Sequence, residues 1–249
     1  MENALSAKRI ASNDVLIGYL DLCGTKAVYK TLRLEQQLDR IFEAVSNVWT
    51  ELSNAFGTGQ DSLYVHMFAD SLVIAQRDKS DPKDCLNKLV EYFVSVQLQM
   101  LRHSQTHKIP ILSRCIVKVG SYYGILFEQL GSKLDDVFLN LSLVGGLTII
   151  EMDKILKGLP VGVYIDQSLT PQYHDPSRLI PVEGEQLQFV KPPESFISFE
   201  RLFGNQDFDT WVNDMIDRSN GDQEFEGKLK PWADAVQNRL TSIQRMSKR

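Results

Sequence analysis

The sequence predicts an α+β fold: a mixed, mostly antiparallel sheet with helices on one face, followed by a helical C-terminal extension. Three observations lead there. Short apolar runs and helical stripes follow one another in the order β-α-β-β-α-β-β-α-β from Val15 to Ile165, within a domain expected over residues 12–192. Two β-α-β units flanking hairpins differ from the strict alternation of a doubly wound sheet. Beyond Pro192-Pro193 the pattern turns helical, which sets residues 195–249 apart as an extension.

Residues 1–13 are polar and are expected to form a loose arm. Residues 15–20 read as a strand apolar on both faces, broken by Gly24. From Thr25 to about Ala55, Leu34, Leu38, Ile41, Val45, Val48 and Leu52 recur at steps of three and four, the stripe of one long amphipathic helix. Residues 62–69 and 71–76 read as two strands joined tightly at Ala69-Asp70-Ser71, and Pro82 opens a second helix that ends near His107. A strand over 111–120, a turn at Gly120-Ser-Tyr-Tyr-Gly124 and a further short strand follow. Gly145-Gly146 precedes a helix over 147–156, closed by Gly158 and Pro160, and residues 161–165 form a strand. The runs 179–182 and 187–190 predict a hairpin.

Composition narrows the function classes. With 249 residues, 43% of them hydrophobic, the chain can bury a sizeable core. A net charge of −5 and a pI near 5.4 give no global attraction to nucleic acid or anionic membrane. No apolar run is long enough to span a bilayer, and the first residues lack the hydrophobic stretch of a signal peptide, so a cytoplasmic location is expected. Cys23, Cys85 and Cys115 lie far apart, without CxxC spacing or a disulfide framework.

Two aspartates carry the chemistry. Asp21 closes the apolar run Val15-Leu-Ile-Gly-Tyr-Leu-Asp21, and Asp70, 49 positions later, lies between the two strands of a hairpin. A lone carboxylate is costly to bury, and two that converge make a divalent cation their natural partner. As helix-start and turn residues the same two aspartates would need no ligand. Tyr64 and His66 alternate on one strand and so share a face.

These motifs resemble the catalytic domain of class III nucleotidyl cyclases, whose core is ferredoxin-like. The similarity lies in Asp21-Leu-Cys-Gly-Thr25, in Ala69-Asp70-Ser-Leu-Val-Ile-Ala75, in Lys118-Val-Gly-Ser-Tyr-Tyr-Gly124 and in Gly145-Gly-Leu-Thr-Ile149. The resemblance implies two divalent ions, Mn²⁺ or Mg²⁺, held by Asp21, the Leu22 carbonyl and Asp70. It implies attack of a ribose 3′-oxygen on the α-phosphorus with loss of pyrophosphate, and a homodimer with composite sites. Cys23, Gly24 and Thr25, leading into a helix, are the expected phosphate-binding stretch.

The pattern also departs from that family. The Asn and Arg that orient ribose in purine cyclases fall on Ile149 and Asp153; an alternative register gives Asn140, with Val144 in place of the arginine. The base-selecting lysine of adenylyl cyclases is His66, and its partner acid maps near Ser142. Tyr64, His66 and Ser142 are the candidate base contacts. The late Lys-Gly hairpin is Glu183-Gly184, leaving Lys26 and Lys191 as substitutes for the phosphate lysine. A stand-alone cyclase-like chain without the purine-specific residues resembles the pyrimidine cyclases of bacterial Pycsar anti-phage systems. That likeness implies UTP or CTP as substrate, cUMP or cCMP as product, and a separate effector protein that reads it. The alternatives are a non-catalytic cyclase-like nucleotide-binding or sensor domain, a purine cyclase with unusual base contacts, and a polymerase-palm relative that joins nucleotides.

Overall fold

Strand β1 (Leu5–Cys23) and strand β4 (Leu112–Gln129) pair antiparallel along nearly their whole length and form the spine of the protein. The computed structural model describes residues 5–25, 28, 33–56, 63–68, 71–76, 81–107, 109, 111–129, 141–193, 208–219, 223–237 and 241–244. The other strands are β2 (Leu63–Phe68), β3 (Ser71–Gln76), β5 (Leu141–Gly145), β6 (Gly162–Asp166), β7 (Leu179–Pro181) and β8 (Leu187–Val190). They build one sheet in the order β2-β3-β1-β4-β6-β8-β7, with β5 branching from β4. Only the β4–β6 pairing is parallel among the described strands, so the predicted mixed, mostly antiparallel sheet is what forms.

Helices α1 (Leu34–Phe56) and α2 (Pro82–His107) pack together, and α2 covers one face of β1. A Cβ on Gly18 would lie 2.7 Å from the Phe93 ring and 3.0 Å from Leu89, so glycine is what lets α2 approach this closely. Alternate residues of a strand point to opposite faces. Tyr19 accordingly points the other way, where its hydroxyl donates to Asp153 of α3 (Leu147–Lys157) at 3.3 Å. The extension forms α4 (Phe208–Arg218) and α5 (Gln223–Val236), whose Phe208, Trp211 and Trp232 rings pack with centroids 5.7–6.3 Å apart. It joins the sheet domain through the Val161 N–H, which donates to the Lys228 carbonyl, and through a bridge between Val182 and Ile243. Among the described residues no helix is long and apolar enough to cross a membrane.

Three expectations need correcting. The arm is strand from Leu5 onward, paired with residues 122–129 of β4. Ala11, Asn13 and Asp14 are exposed, so at this end of the arm the polar sequence reflects solvent exposure and not a lack of pairing. Residues 120–124 are not a turn: β4 runs straight through them, and the local irregularity lies on β1 between Ser12 and Val15, where Asp14 takes a positive φ of 57°. The predicted long helix does not run unbroken, for Thr25 and Val28 are helical while Arg33 is not, and α1 begins at Leu34. Strand β5 was not anticipated, because its glycine-ended five residues are too short to show a period.

Candidate functional site

The register of the sheet decides which side chains meet. Asp21 lies opposite Ser71 on β3 and Arg114 on β4, and Ser71 lies opposite Phe68 on β2. Tyr19, Val73, His66 and Ile116 form the next row on that face, and Ile17, Ala75, Tyr64 and Lys118 the one beyond. Rows two residues apart are about 6.7 Å apart. Thus Asp21, His66, Tyr64, Arg114 and Lys118 share the sheet face that α3 approaches, opposite the face covered by α2.

Asp21 is held from two sides. Its Oδ2 forms an ion pair with Arg114, whose side chain is 5% exposed, and its Oδ1 accepts from the Ser71 hydroxyl at 3.3 Å. Arg114 also donates to the Leu156 carbonyl at 2.7 Å, which fixes its guanidinium between β1 and the end of α3. Burial pushes the Tyr19 hydroxyl up to about 12; a bond with Ser71 works against this, and the charges of Asp153 and Asp21 add to it. Tyr19 therefore stays protonated and able to donate. Lys157 closes the far side of Asp153 at 2.6 Å, and Lys118 pairs with Asp166 at 3.4 Å.

The expected metal ligands are Asp21, Leu22 and Asp70. Asp70, with Ala69, lies outside the described residues. Asp21 offers a carboxylate that is 19% exposed, and a carboxylate has about four acceptor positions. The Leu22 side chain is buried, which leaves its carbonyl as the possible donor. Hard oxygen donors of this kind fit Mg²⁺ or Mn²⁺.

Of the expected phosphate-binding stretch, Cys23 places its side chain in the core, with its thiol on the Leu112 carbonyl at 3.5 Å. Burial raises that thiol's pKa, while the charges of Arg114 and Lys228 pull it down. The Asp21 charge pushes it the other way. Gly24 has φ of 89°, a conformation that favours glycine, and the Val28 N–H returns to the Gly24 carbonyl at 3.3 Å to close one helical turn. Lys26 lies outside the described residues.

The base candidates divide. His66 Nε2 shares a hydrogen bond with the Tyr122 hydroxyl, and the Tyr64 and Tyr122 rings stack 5.6 Å apart at 7°. Burial lowers the His66 pKa and raises that of Tyr122, so the ring is neutral and the hydroxyl protonated. His66 Nδ1 is buried without a hydrogen-bond partner among the described residues. Ser142 is elsewhere: it pairs with Leu126, twelve positions beyond Arg114 along β4, so a single chain does not bring it to Asp21. Arg114 and Ser71 went unnoticed in the sequence, although a lone arginine inside the apolar stretch 111–117 is the signal that finds the first.

No protein-family model and no curated protein matches the sequence. Solved structures do. The chain superposes on the adenylyl cyclase CyaB from P. aeruginosa with a TM-score of 0.53 at 14% identity, covering 75% of this chain and 96% of that one. A bacterial light-regulated adenylyl cyclase gives 0.54 at 12% identity over 90% of this chain, which spans 59% of that longer protein. The guanylate cyclase domain of RhGC from Catenaria anguillulae, solved in complex with GTP, gives 0.51 at 11% over 74% of this chain and 98% of that one. The chain has the fold of the adenylyl and guanylyl cyclase domains.

Proposed function

We propose that this chain is a metal-dependent nucleotide cyclase that converts UTP or CTP to its 3′,5′-cyclic monophosphate and pyrophosphate. The observation that carries the reading is the row Phe68–Ser71–Asp21–Arg114. Asp70 directly precedes Ser71, whose hydroxyl already touches Asp21, and in this proposal the two carboxylates work together.

In the reaction the 3′-oxygen attacks the α-phosphorus, the bond from that phosphorus to the oxygen bridging to the β-phosphate breaks, pyrophosphate leaves, and the 3′-hydroxyl loses its proton to solvent. Two divalent ions, when bound by Asp21, the Leu22 carbonyl and Asp70, would supply acidity at the 3′-oxygen and neutralise the triphosphate. Ser71 and Arg114 orient the Asp21 carboxylate. Backbone N–H groups at Gly24 and Thr25, where a helical turn begins, receive phosphate oxygens. His66 Nδ1 is the buried polar atom that a pyrimidine edge would satisfy, and Tyr64 gives a stacking surface. Because Ser142 is remote within one chain, its contribution requires a second copy and a composite site. The exposed apolar residues Leu147 and Ile150 on α3 offer such a copy a surface. The product would act as a messenger in anti-phage defence, read by a separate effector.

Purified protein incubated with Mn²⁺ and each of the four nucleoside triphosphates should yield cUMP or cCMP by mass spectrometry. Cyclic product from none of them, across several metal and protein concentrations, overturns the reading. One observation favours a non-catalytic nucleotide sensor instead, namely that Arg114 already neutralises Asp21. That alternative gives calorimetric binding without turnover.

A further inference from the structure

A second cluster of metal-binding side chains lies apart from the Asp21 face, between the two packed helices. Glu51 on α1 accepts from Gln99 on α2 at 3.1 Å, and Glu43, two turns earlier on α1, meets His107, two turns later on α2, at 3.0 Å. The order of these pairs shows the helices to be antiparallel. His103 and His107 are one turn apart, so their rings share a face, with centroids 4.6 Å apart. His103 Nδ1 is 4.0 Å from the same Glu43 oxygen that His107 Nε2 touches. One ligand atom from each of the three residues lies within 4.8 Å of the others. Ligand atoms around a tetrahedral zinc stand about 3.3 Å apart, so small rotamer changes convert this arrangement into three vertices.

A second observation supports a ligand here. The His103 side chain is 2% exposed; Nδ1 is the ring nitrogen 4.0 Å from Glu43, and Nε2, on the other side of the ring, is the one with no hydrogen-bond partner among the described residues. A buried imidazole nitrogen left without a partner is unfavourable, and the donor set of two imidazoles and a carboxylate matches zinc. Burial, and then the neighbouring His107, lower the His103 pKa, so the ring is neutral at pH 7 and able to ligate. Burial opposes ionisation of Glu43, but the hydrogen bond and charge of His107, the Arg40 guanidinium and His103 outweigh it and hold the carboxyl below its usual range. Arg40 opposes a metal at all three residues: its guanidinium donates to Glu43 Oε2 at 3.1 Å and stands 3.5 Å from His107 Nε2, and its backbone hydrogen-bonds the His103 ring.

We propose that Glu43, His103 and His107 form a zinc site that clamps α1 to the C-terminal end of α2, with water as the fourth ligand. The site is independent of the cyclase reading, and Arg40 competes with the metal for Glu43 and His107.

The test is equilibrium dialysis of the full chain against limiting zinc chloride, read by elemental analysis, with Co²⁺ spectra as a check on geometry. Wild type should retain one zinc more per chain than Glu43→Gln or His107→Ala. Arg40→Ala should bind zinc at least several-fold tighter, a gain that misfolding cannot produce. Asp21→Asn should keep this zinc, which separates it from ions at the cyclase face. Equal zinc content in wild type, Glu43→Gln and His107→Ala, or an Arg40→Ala variant that binds no tighter than wild type, overturns the proposal.

Discussion

Arg114 and Asp21 face each other directly across the β1–β4 ladder, and their ion pair is the fixed point of the candidate site. Arg114 is almost wholly buried and Asp21 one-fifth exposed, so removing the carboxylate strands a cation in the core. Loss of one partner from such a pair costs about 3–5 kcal/mol, and the exposure of Asp21 puts this case near the lower end. Asp21→Asn should therefore abolish cyclic product and lower the urea midpoint. Asp21→Asn combined with Arg114→Met should recover part of the stability and none of the activity. A double variant no more stable than Asp21→Asn would show that the buried Arg114 charge is not what costs the stability.

Acid should loosen the fold through its buried histidines. Burial lowers the pKa of both His66 and His103 below the ordinary value, so the unfolded chain binds more protons than the native one as pH falls. Stability therefore rises with pH across that window; it is intact above about pH 6.5 and is lost as pH falls from there toward the depressed native values. His66→Gln keeps a polar group beside Tyr122 while removing one titration. Its melting temperature, followed in EDTA from pH 7.5 to 5.5, should fall less steeply than that of wild type. Parallel curves would show that His66 contributes nothing to the linkage.

At Gly18 the prediction is steric. A methyl group there enters the Phe93 ring of α2, and overpacking of this kind costs about 1–3 kcal/mol. Gly18→Ala should lower stability by that order in chemical denaturation, and Phe93→Leu should make the alanine better tolerated. The two effects should be non-additive, since the residues touch. Strict additivity in the double-mutant cycle would place the cost elsewhere.

Most of the fold was legible because its signals are local. The α1 and α2 stripes follow the 3.6-residue period, Pro82 marks a helix start, and the β2–β3 and β7–β8 hairpins are bounded by turn residues. What the sequence hid was long-range pairing. Residues 5–12 read as a loose arm although they pair with β4, and Tyr122 and Tyr123 read as a turn although Ser12 pairs with the first and Ala11 and Gly145 with the second as strand. Of the site, Asp21 was visible as a carboxylate ending an apolar run. Arg114, 93 positions away, was not, because only the register of β1 on β4 brings the two together. The spacing of His103 and His107 was present but carried no weight until Glu43 arrived from another helix.

The extension should matter to substrate affinity through Lys228. This residue is 7% exposed, its carbonyl accepts from Val161 beside the β6 residue that pairs with Arg114, and its charge acts on Cys23. Lys228→Met keeps most of the side-chain volume and removes a positive charge that acts on Cys23. KM for the triphosphate should rise several-fold, kcat should change less, and the salt dependence of KM should weaken. An unchanged KM would confine Lys228 to packing.

Dimer formation is tested on the apolar surface of α3. Leu147 and Ile150 are 70% and 53% exposed on its first turn. Large apolar side chains left this open are a feature of surfaces that meet a partner. The helix itself does not depend on them, since Met152 and Leu156 bury its inner face. Leu147→Asp with Ile150→Asp should thus leave circular dichroism unchanged and shift the protein from dimer to monomer in light scattering. Because neither residue belongs to the Asp21 row, activity lost along with the dimer would mean that a second chain completes the site. The double variant mixed with Asp21→Asn protein, inactive for a different reason, should regain activity only where the two chains still associate, in proportion to the heterodimer formed.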